Sequence, residues 1–193
     1  GADMLSVDGF ECGGHPGEED VPNLILLARA AQVLKIPFIA SGGIANGRQM
    51  AACLALGADG VNMGTRFMAT KEAPIHDNIK QALVDGDERS TTHVFRTLSN
   101  TERVYKNKTS AECVEIEAEF PGDFEKIRHL VMGAKYRQSF QETGDTEDSV
   151  WSCGLSMALV DGVPSCEELL ETMVRDAEDI IQGRLPSLVS RLC

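Results

Sequence analysis

The sequence predicts an α/β fold, and two observations support this prediction. In residues 1–85, short apolar segments typical of buried strands alternate with segments of helical periodicity. Each helix leads into the next strand through only a few residues, a pattern that favours parallel strands joined by right-handed crossovers. We therefore expect three successive βα units in this part of the chain.

Each unit has a predicted strand followed by a predicted helix. The strands are expected at residues 1–8, 37–41 and 58–64, and the helices at residues 22–35, 46–56 and 72–84. Pro22 suits the first turn of the first helix. Asn46 is a typical N-cap of the second helix, and Gly57 is a typical terminator. These local signals place the helix boundaries to within a few residues.

After residue 86 the chain becomes more polar, and we expect a mainly helical segment that packs on the βα units. Residues 86–123 are predicted to mix helix with irregular chain, and residues 124–140 to form a helix. A strong helix is predicted at 165–183, where Ser165 and Glu168 have the spacing of a capping box. The tail from Arg184 onwards is expected to fray.

Composition excludes several classes of function. The net charge is −12, which argues against nucleic acid or an anionic membrane as a partner, since both require clustered cations. The six cysteines include no CxxC pair, so we expect reduced thiols and a cytoplasmic protein. No Cys/His spacing indicates a metal site, and no metal is assigned.

Glycines follow all three predicted strands, at Gly13-Gly14, Gly42-Gly43 and Gly64. A single such loop would suit an ordinary turn, but three in succession favour a ligand site, because α/β proteins bind ligands at the carboxyl edge of the sheet. The second and third loops lie about 20 residues apart, as do the phosphate-binding loops after strands seven and eight of a (β/α)₈ barrel. We thus expect the C-terminal part of such a barrel, with five further units upstream.

Three motifs in order give the chain a resemblance to a known family. The segments "GFECGGHPGEED", "PFIASGGIANGRQMAACLALGADGVNMGTRFMAT" and "GDTEDSVWSCG" resemble the nitronate monooxygenases, formerly called 2-nitropropane dioxygenases. These are FMN-dependent (β/α)₈ enzymes. The "GHPGEED" loop is most similar to a bacterial branch of the family that includes NADH:quinone reductases.

The resemblance implies a set of site residues. His15 matches the histidine beside the flavin ring and would face the substrate, while the preceding glycines would let the backbone approach FMN. Asp8, Gly13 and Gly14 match contacts with the flavin ring or ribityl chain. The remaining matches are to the phosphate-binding loops, where Asn62 replaces a more usual glutamine: Ser41, Gly42, Gly43, Asn62, Met63, Gly64 and Thr65. Cys12 is expected to pack rather than to carry redox chemistry.

The resemblance implies an FMN-dependent oxidoreductase that oxidises alkyl nitronates with O₂ to carbonyl compounds and nitrite. An NAD(P)H:quinone reductase on the same scaffold is the first alternative, and an inactive barrel fragment is the second. The expected partners are a small-molecule substrate (nitronate or quinone), NAD(P)H in the reductase alternative, and a second copy of the chain in a homodimer. An inosine monophosphate dehydrogenase type is disfavoured, because its loop needs a nucleophilic cysteine beyond the glycines.

Overall fold

A computed structural model describes residues 1–189 and contains a three-stranded parallel sheet. Its strands are β1 (Leu5–Asp8), β2 (Phe38–Ser41) and β3 (Gly60–Asn62), in the order β1-β2-β3. Asp8 lies opposite Ser41, and Ser41 lies opposite Asn62, so the three carboxyl ends are level. The predicted parallel pairing is confirmed, and the loops that follow the three strands begin at one edge.

The first two predicted helices are present as α1 (Asn23–Val33) and α2 (Gly47–Ala55). After β3, the short α3 (Thr65–Met68) was not predicted, and α4 (Asp77–Asp85) begins later than the predicted start at residue 72. Asn46 caps α2 as expected, since its Oδ1 accepts a hydrogen bond from Gln49 N at 3.1 Å. Gly57 has a φ of 104°, the left-handed conformation expected of a glycine that ends a helix.

A hairpin in the second half of the chain was not predicted. Strands β4 (Thr91–Val94) and β5 (Glu102–Tyr105) pair in antiparallel fashion where the sequence indicated helix and irregular chain. Neither strand alternates apolar with polar residues, since the sequences are TTHV and ERVY, and the turn has no glycine. Phe95 and Ser99 adopt the left-handed turn conformations, with φ of 63° and 52°. The usual sequence signal of a hairpin is therefore missing.

The rest of the second half is largely helical, but one predicted helix is broken. Helix α5 spans Lys108–Glu119, and the prediction for 124–140 resolves into α6 (Phe124–Ile127), α7 (Gly133–Arg137) and a wide turn at Gln138–Thr143. Ile127 and Leu130 are both buried, and a turn bond from Leu130 N to Ile127 O ends α6 between them. Packing of these two side chains overrides the continuous helical pattern.

Helix α8 (Cys166–Glu178) joins the second half to the sheet. Its predicted capping box is present, with Ser165 and Glu168 bonded reciprocally. Leu169 and Met173 enter the core beneath β2 and α2. A Cβ at Gly47 would lie 2.3 Å from Met173 O, so the glycine is required for this close contact.

The chain after α8 continues through a π-helical segment at Asp179–Arg184 into α9 (Leu185–Val189). Fraying was predicted from Arg184 onwards, but the structure has a helix as far as Val189. Residues 190–193 lie outside the described part of the chain. Among residues 1–189, no helix combines the length and the apolar character needed to cross a membrane.

Candidate functional site

A cavity of about 310 Å³ opens at the carboxyl ends of the three parallel strands. It contains nine of the ten residues that the sequence assigned to cofactor binding: Asp8, Gly13, Ser41, Gly42, Gly43, Asn62, Met63, Gly64 and Thr65. The sequence assignment did not include five further lining residues: Cys12, Ile44, Met68, Ser152 and Ser156. The parallel register therefore brings three separate loops around one space.

Gly14 and His15 do not line this cavity. Gly14 has a φ of 82° and pairs with Arg103 of β5 through two backbone bonds, at 3.0 and 2.7 Å. His15 is exposed, with its Nε2 atom 3.3 Å from Asn100 Nδ2. His15 thus stands two residues beyond the cavity wall at Gly13, on the side of the hairpin.

Hydrogen bonds made by the side chains of Asn23 and Gln49 fix the conformation of the loop after β2. Gly42 and Gly43 both have left-handed φ values, 86° and 75°, which a side chain would strain. Asn23, at the start of α1, donates from Nδ2 to Ser41 O at 2.8 Å and to Gly42 O at 2.6 Å. Gln49 also bridges this loop, since its Oε1 accepts from Ala45 N and its Nε2 donates to Gly43 O. The carbonyls are thereby turned toward the protein.

The donors around the cavity suit an anion. Within residues 1–189, the backbone N–H groups of Gly43, Ile44, Gly64 and Thr65 have no hydrogen-bond acceptor in the protein. A Cβ built at Gly64 would meet nothing within 4 Å, so the space beside it is open. No lysine or arginine lines the cavity. An anion here would be bound by backbone dipoles and hydroxyl groups, a common arrangement for phosphate.

Gly13, the first residue of the Gly13-Gly14 pair, has a structural role that the sequence did not reveal. A Cβ at Gly13 would lie 2.6 Å from both Cys153 C and Gly154 N. Gly13 thus lines the cavity and also packs closely against the backbone of the second half of the chain. Gly154 is equally constrained, since its own Cβ would lie 2.8 Å from Glu11 O.

The same contact brings the second half of the chain into the cavity wall. Leu155 N donates to Glu11 O at 2.9 Å, and Gly154 N donates to Thr65 Oγ1 at 2.8 Å. Ser152 and Ser156, on either side of this contact, line the cavity. The only local signal for these residues was the motif "GDTEDSVWSCG", which identified the segment but not its partners.

Burial sets the chemical character of the nearby cysteines. Burial raises the pKa of the Cys12 thiol to about 11, with a smaller contribution from Asp8, and burial raises that of Cys153 to about 12. Both thiols are protonated near neutral pH and are poor nucleophiles. This agrees with the expectation that Cys12 packs and does no redox chemistry.

Arg103 is a buried cation beside the loop that follows β1. We call this the first loop, and the loops that follow β2 and β3 the second and third loops. Its guanidinium lies 4.4 Å above the Phe10 ring and donates to Phe10 O and to Thr91 Oγ1. In residues 1–189 no carboxylate lies within 4 Å of it. Burial is the main cause that lowers its pKa. Arg103 thus anchors the loop by hydrogen bonds to neutral oxygens.

Together, the parallel sheet and the cavity at its carboxyl edge define an α/β protein whose ligand site would lie where the strands end. Comparison with known proteins identifies the particular group. The family model described as nitronate monooxygenase matches residues 1–176, and the chain belongs to that family.

Three relatives show how varied the proteins similar to this chain are. A structure of FabK from Thermotoga maritima is 33% identical, with a TM-score of 0.87, and the match covers 94% of this chain and 56% of that one. A (3aS,4S,5R,7aS)-5-hydroxy-7a-methyl-1-oxo-octahydro-1H-indene-4-carboxyl-CoA dehydrogenase from Mycobacterium tuberculosis is 31% identical over 92% of this chain and 60% of its own length. A probable nitronate monooxygenase from Staphylococcus aureus is 27% identical, over 94% and 52%.

Proposed function

We propose that this chain provides the FMN site of a flavin-dependent oxidoreductase whose reaction is the oxidation of alkyl nitronates. The observation that carries the proposal is the cavity at the carboxyl edge. It brings together nine residues that match the family's cofactor contacts, and it offers unpaired backbone donors for a phosphate. Membership of the nitronate monooxygenase family supports the same conclusion.

We further propose that residues 1–85 are units six to eight of a (β/α)₈ barrel, and that residues 86–193 pack on its substrate side. The chain spans between about half and three fifths of the length of the relatives it matches. In residues 1–189, β1 and β3 each pair with β2 alone, and Leu5 in β1 is 36% exposed. Strand edges of this kind are covered in a closed barrel.

Different residues of this chain would bind the phosphate, bind the rest of the cofactor and act on the substrate. Ser41, Thr65 and the free N–H groups of the second and third loops would bind the phosphate, and Asp8 would accept hydrogen bonds from the body of the cofactor. FMN, when bound, supplies the acceptor for the substrate's electrons. His15 would face the substrate from the rim and, for a neutral nitroalkane, would remove the proton that converts it to the nitronate.

Two alternative activities, a quinone reductase and a CoA-thioester dehydrogenase, differ from the monooxygenase in the compound that reduces the flavin. A quinone reductase would take hydride from NAD(P)H, while the relative from M. tuberculosis is named as a dehydrogenase of a CoA thioester. The remaining alternative, an inactive fragment, would bind no flavin. The monooxygenase, the reductase and the dehydrogenase would use the same cavity, so its residues alone do not choose among the substrates.

The test begins with the visible flavin absorption of the purified protein after FMN is added. Anaerobic rapid mixing then follows bleaching of that absorption by an alkyl nitronate, by NADH, or by a CoA thioester with an apolar acyl group. Bleaching by nitronate and not by NADH supports the monooxygenase. Bleaching by NADH with transfer to quinone supports the reductase, and absence of flavin binding refutes the proposal in every form.

A further inference from the structure

Four residues with hydroxyl groups line the cavity, namely Ser41, Thr65, Ser152 and Ser156, and the hydroxyl of Ser152 is bonded to a carboxylate outside the cavity. Ser152 Oγ donates to Glu102 Oε1 at 2.5 Å. We propose that Glu102 fixes the Ser152 hydroxyl as an acceptor toward the cavity, so that Ser152 binds a hydroxyl group on the body of the ligand. The inference rests on the proposed FMN site and concerns how that site recognises the ribityl chain.

The backbone holds this pair in place. Ser152 forms an antiparallel bridge with Val104, and the neighbouring Tyr105 N donates to Trp151 O at 2.9 Å. Glu102 begins β5, opposite Val94 of β4. Glu102 thus lies on a paired strand, and an isolated bridge to the same strand holds Ser152 beside it.

The Glu102 carboxylate has no cation to neutralise it in the part of the chain that the structure describes. None of the ion pairs within 4 Å among residues 1–189 involves Glu102. A carboxylate can only accept hydrogen bonds, so the hydroxyl proton of Ser152 is committed to it. A hydrogen bond to a charged group is about twice as strong as one between neutral groups, which makes reversal of Ser152 unfavourable. The lone pairs of Ser152 remain for the ligand.

Two of the other hydroxyls have the opposite role. Ser41 Oγ accepts from Asn62 Nδ2 at 3.3 Å, and Thr65 Oγ1 accepts from Gly154 N at 2.8 Å. Neither hydroxyl donates to an acceptor within residues 1–189, so both protons are available to a ligand. Together with the free N–H groups of the loops, they form a donor surface suited to an anion.

The cavity therefore has a donor surface for a phosphate and acceptors, Ser152 and Asp8, for groups that donate. A phosphorylated polyol such as the ribityl phosphate of FMN has both kinds of group. A phosphorylated alkyl chain would satisfy the donors but would leave Ser152 without a partner, and unpaired polar groups weaken binding. Ser152 is in this way a specificity-determining residue, and Glu102 is the positioning residue behind it.

The experiment compares two flavins by quenching of flavin fluorescence. One is FMN, and the other is its analogue in which a plain pentyl chain carries the phosphate. The parent protein should bind FMN more tightly, and Ser152→Ala should reduce that preference by about 3- to 10-fold, the value of one hydrogen bond. Its affinity for the pentyl analogue should not fall, because the variant loses no hydrogen bond to that ligand.

Two further variants separate the role of the hydroxyl from that of the fold. Ser152→Thr should restore the preference for FMN, since it keeps a hydroxyl at the same atom. Glu102→Gln should weaken it, because a carboxamide can donate to Ser152 and release the hydroxyl proton. Equal affinity of the parent for both flavins, or an unchanged preference in Ser152→Ala, would overturn the inference while the FMN site stands. Binding of neither flavin would instead refute the proposed function.

Discussion

Two glycine pairs follow two neighbouring strands, and the structure uses them differently. In the second pair, Gly42 and Gly43 are both left-handed, and both lie against the first loop. A Cβ at Gly42 would lie 2.8 Å from Cys12 Cβ, and one at Gly43 would lie 2.6 Å from Glu11 Cβ. The first pair divides these properties. Gly13 packs against the backbone at Cys153, while Gly14 is left-handed with nothing within 4 Å of its Cβ position.

The difference shows that the first loop lies between two other segments of the chain and packs against both. It is packed between the second loop on one side and the segment around Cys153 on the other, and it carries His15 to an exposed position beyond them. The second loop is held by Asn23 and Gln49, and its Gly43 and Ile44 N–H groups have no acceptor within residues 1–189. We therefore expect that cofactor affinity depends on the second and third loops, and that turnover depends on the first.

The largest expected effect is on FMN binding. Gly64→Asp should abolish retention of FMN, because it places an anionic side chain in the open space where the backbone would meet a phosphate dianion. The fold should persist, since no atom lies within 4 Å of the new Cβ. Flavin content after gel filtration is the measurement, and Gly64→Asn is the control of the same shape without charge. Normal flavin content in the aspartate variant would show that the phosphate lies elsewhere.

The next effect concerns the first loop. His15→Ala should keep FMN bound while turnover falls by roughly 10²–10⁴, the usual contribution of a general acid or base. The exposed His15 makes no contact with the second loop, so flavin affinity serves as the internal control. If His15 removes a proton, activity on neutral nitroalkane should fall more than activity on the preformed nitronate. Full turnover on every substrate would mean that the Gly-Gly-His motif is only a turn.

A smaller effect distinguishes the two glycine pairs by stability. Gly42→Ala should lower the free energy of unfolding by about 2–4 kcal/mol, because left-handed strain adds to a clash with Cys12. Gly14→Ala has the strain without the clash and should cost about 1 kcal/mol. Urea unfolding of both variants measures the difference. Equal losses would contradict the packing of the first loop against the second.

The parts of the molecule that the sequence predicted are those encoded locally. The strands of the parallel sheet, the Asn46 cap and the Ser165 capping box each depend on residues a few positions apart, and all are present. Their parallel order was enough to bring nine of the proposed site residues together. The strand-end pattern alone indicated Gly13, Gly42, Gly43 and Gly64, and the family resemblance added the side chains around them.

The missed parts depend on contacts between distant segments. Gly154 bonds to Thr65 across 89 positions, and Ser152 bonds to Glu102 across 50, so no local pattern records either contact. The hairpin was missed because non-glycine residues occupy its left-handed turn positions. Such residues are strained there, and only the surrounding packing holds them in place.

The smallest expected effect is a pH dependence that belongs to the hairpin beside the first loop. His93 accepts from Arg96 Nη2 through its Nδ1 atom at 3.0 Å and packs against the Phe10 ring, and its buried Nε2 has no partner among residues 1–189. Burial lowers the pKa of His93 to about 4, and the Arg103 and Arg96 cations add to the effect, against weaker opposition from Asp20 and Glu18. The folded protein thus resists protonation at this site.

The direction of the effect follows from proton binding in the two states. Between pH 6.5 and 4 the unfolded chain binds a proton at His93 that the folded chain does not, so stability falls as the pH falls through this window. The loss should be about 1–2 kcal/mol after solvent screening is allowed for. Hydrogen bonds from Thr101 lower the pKa of Glu18, so the contribution of Glu18 to the free energy of unfolding is lost at the acid end of this window and below it. Both the parent and the His93 variant keep Glu18, so its effect is the same in both. Urea unfolding across the window should show a shallower decline for His93→Asn than for the parent, and parallel curves would show that His93 titrates normally in the folded protein.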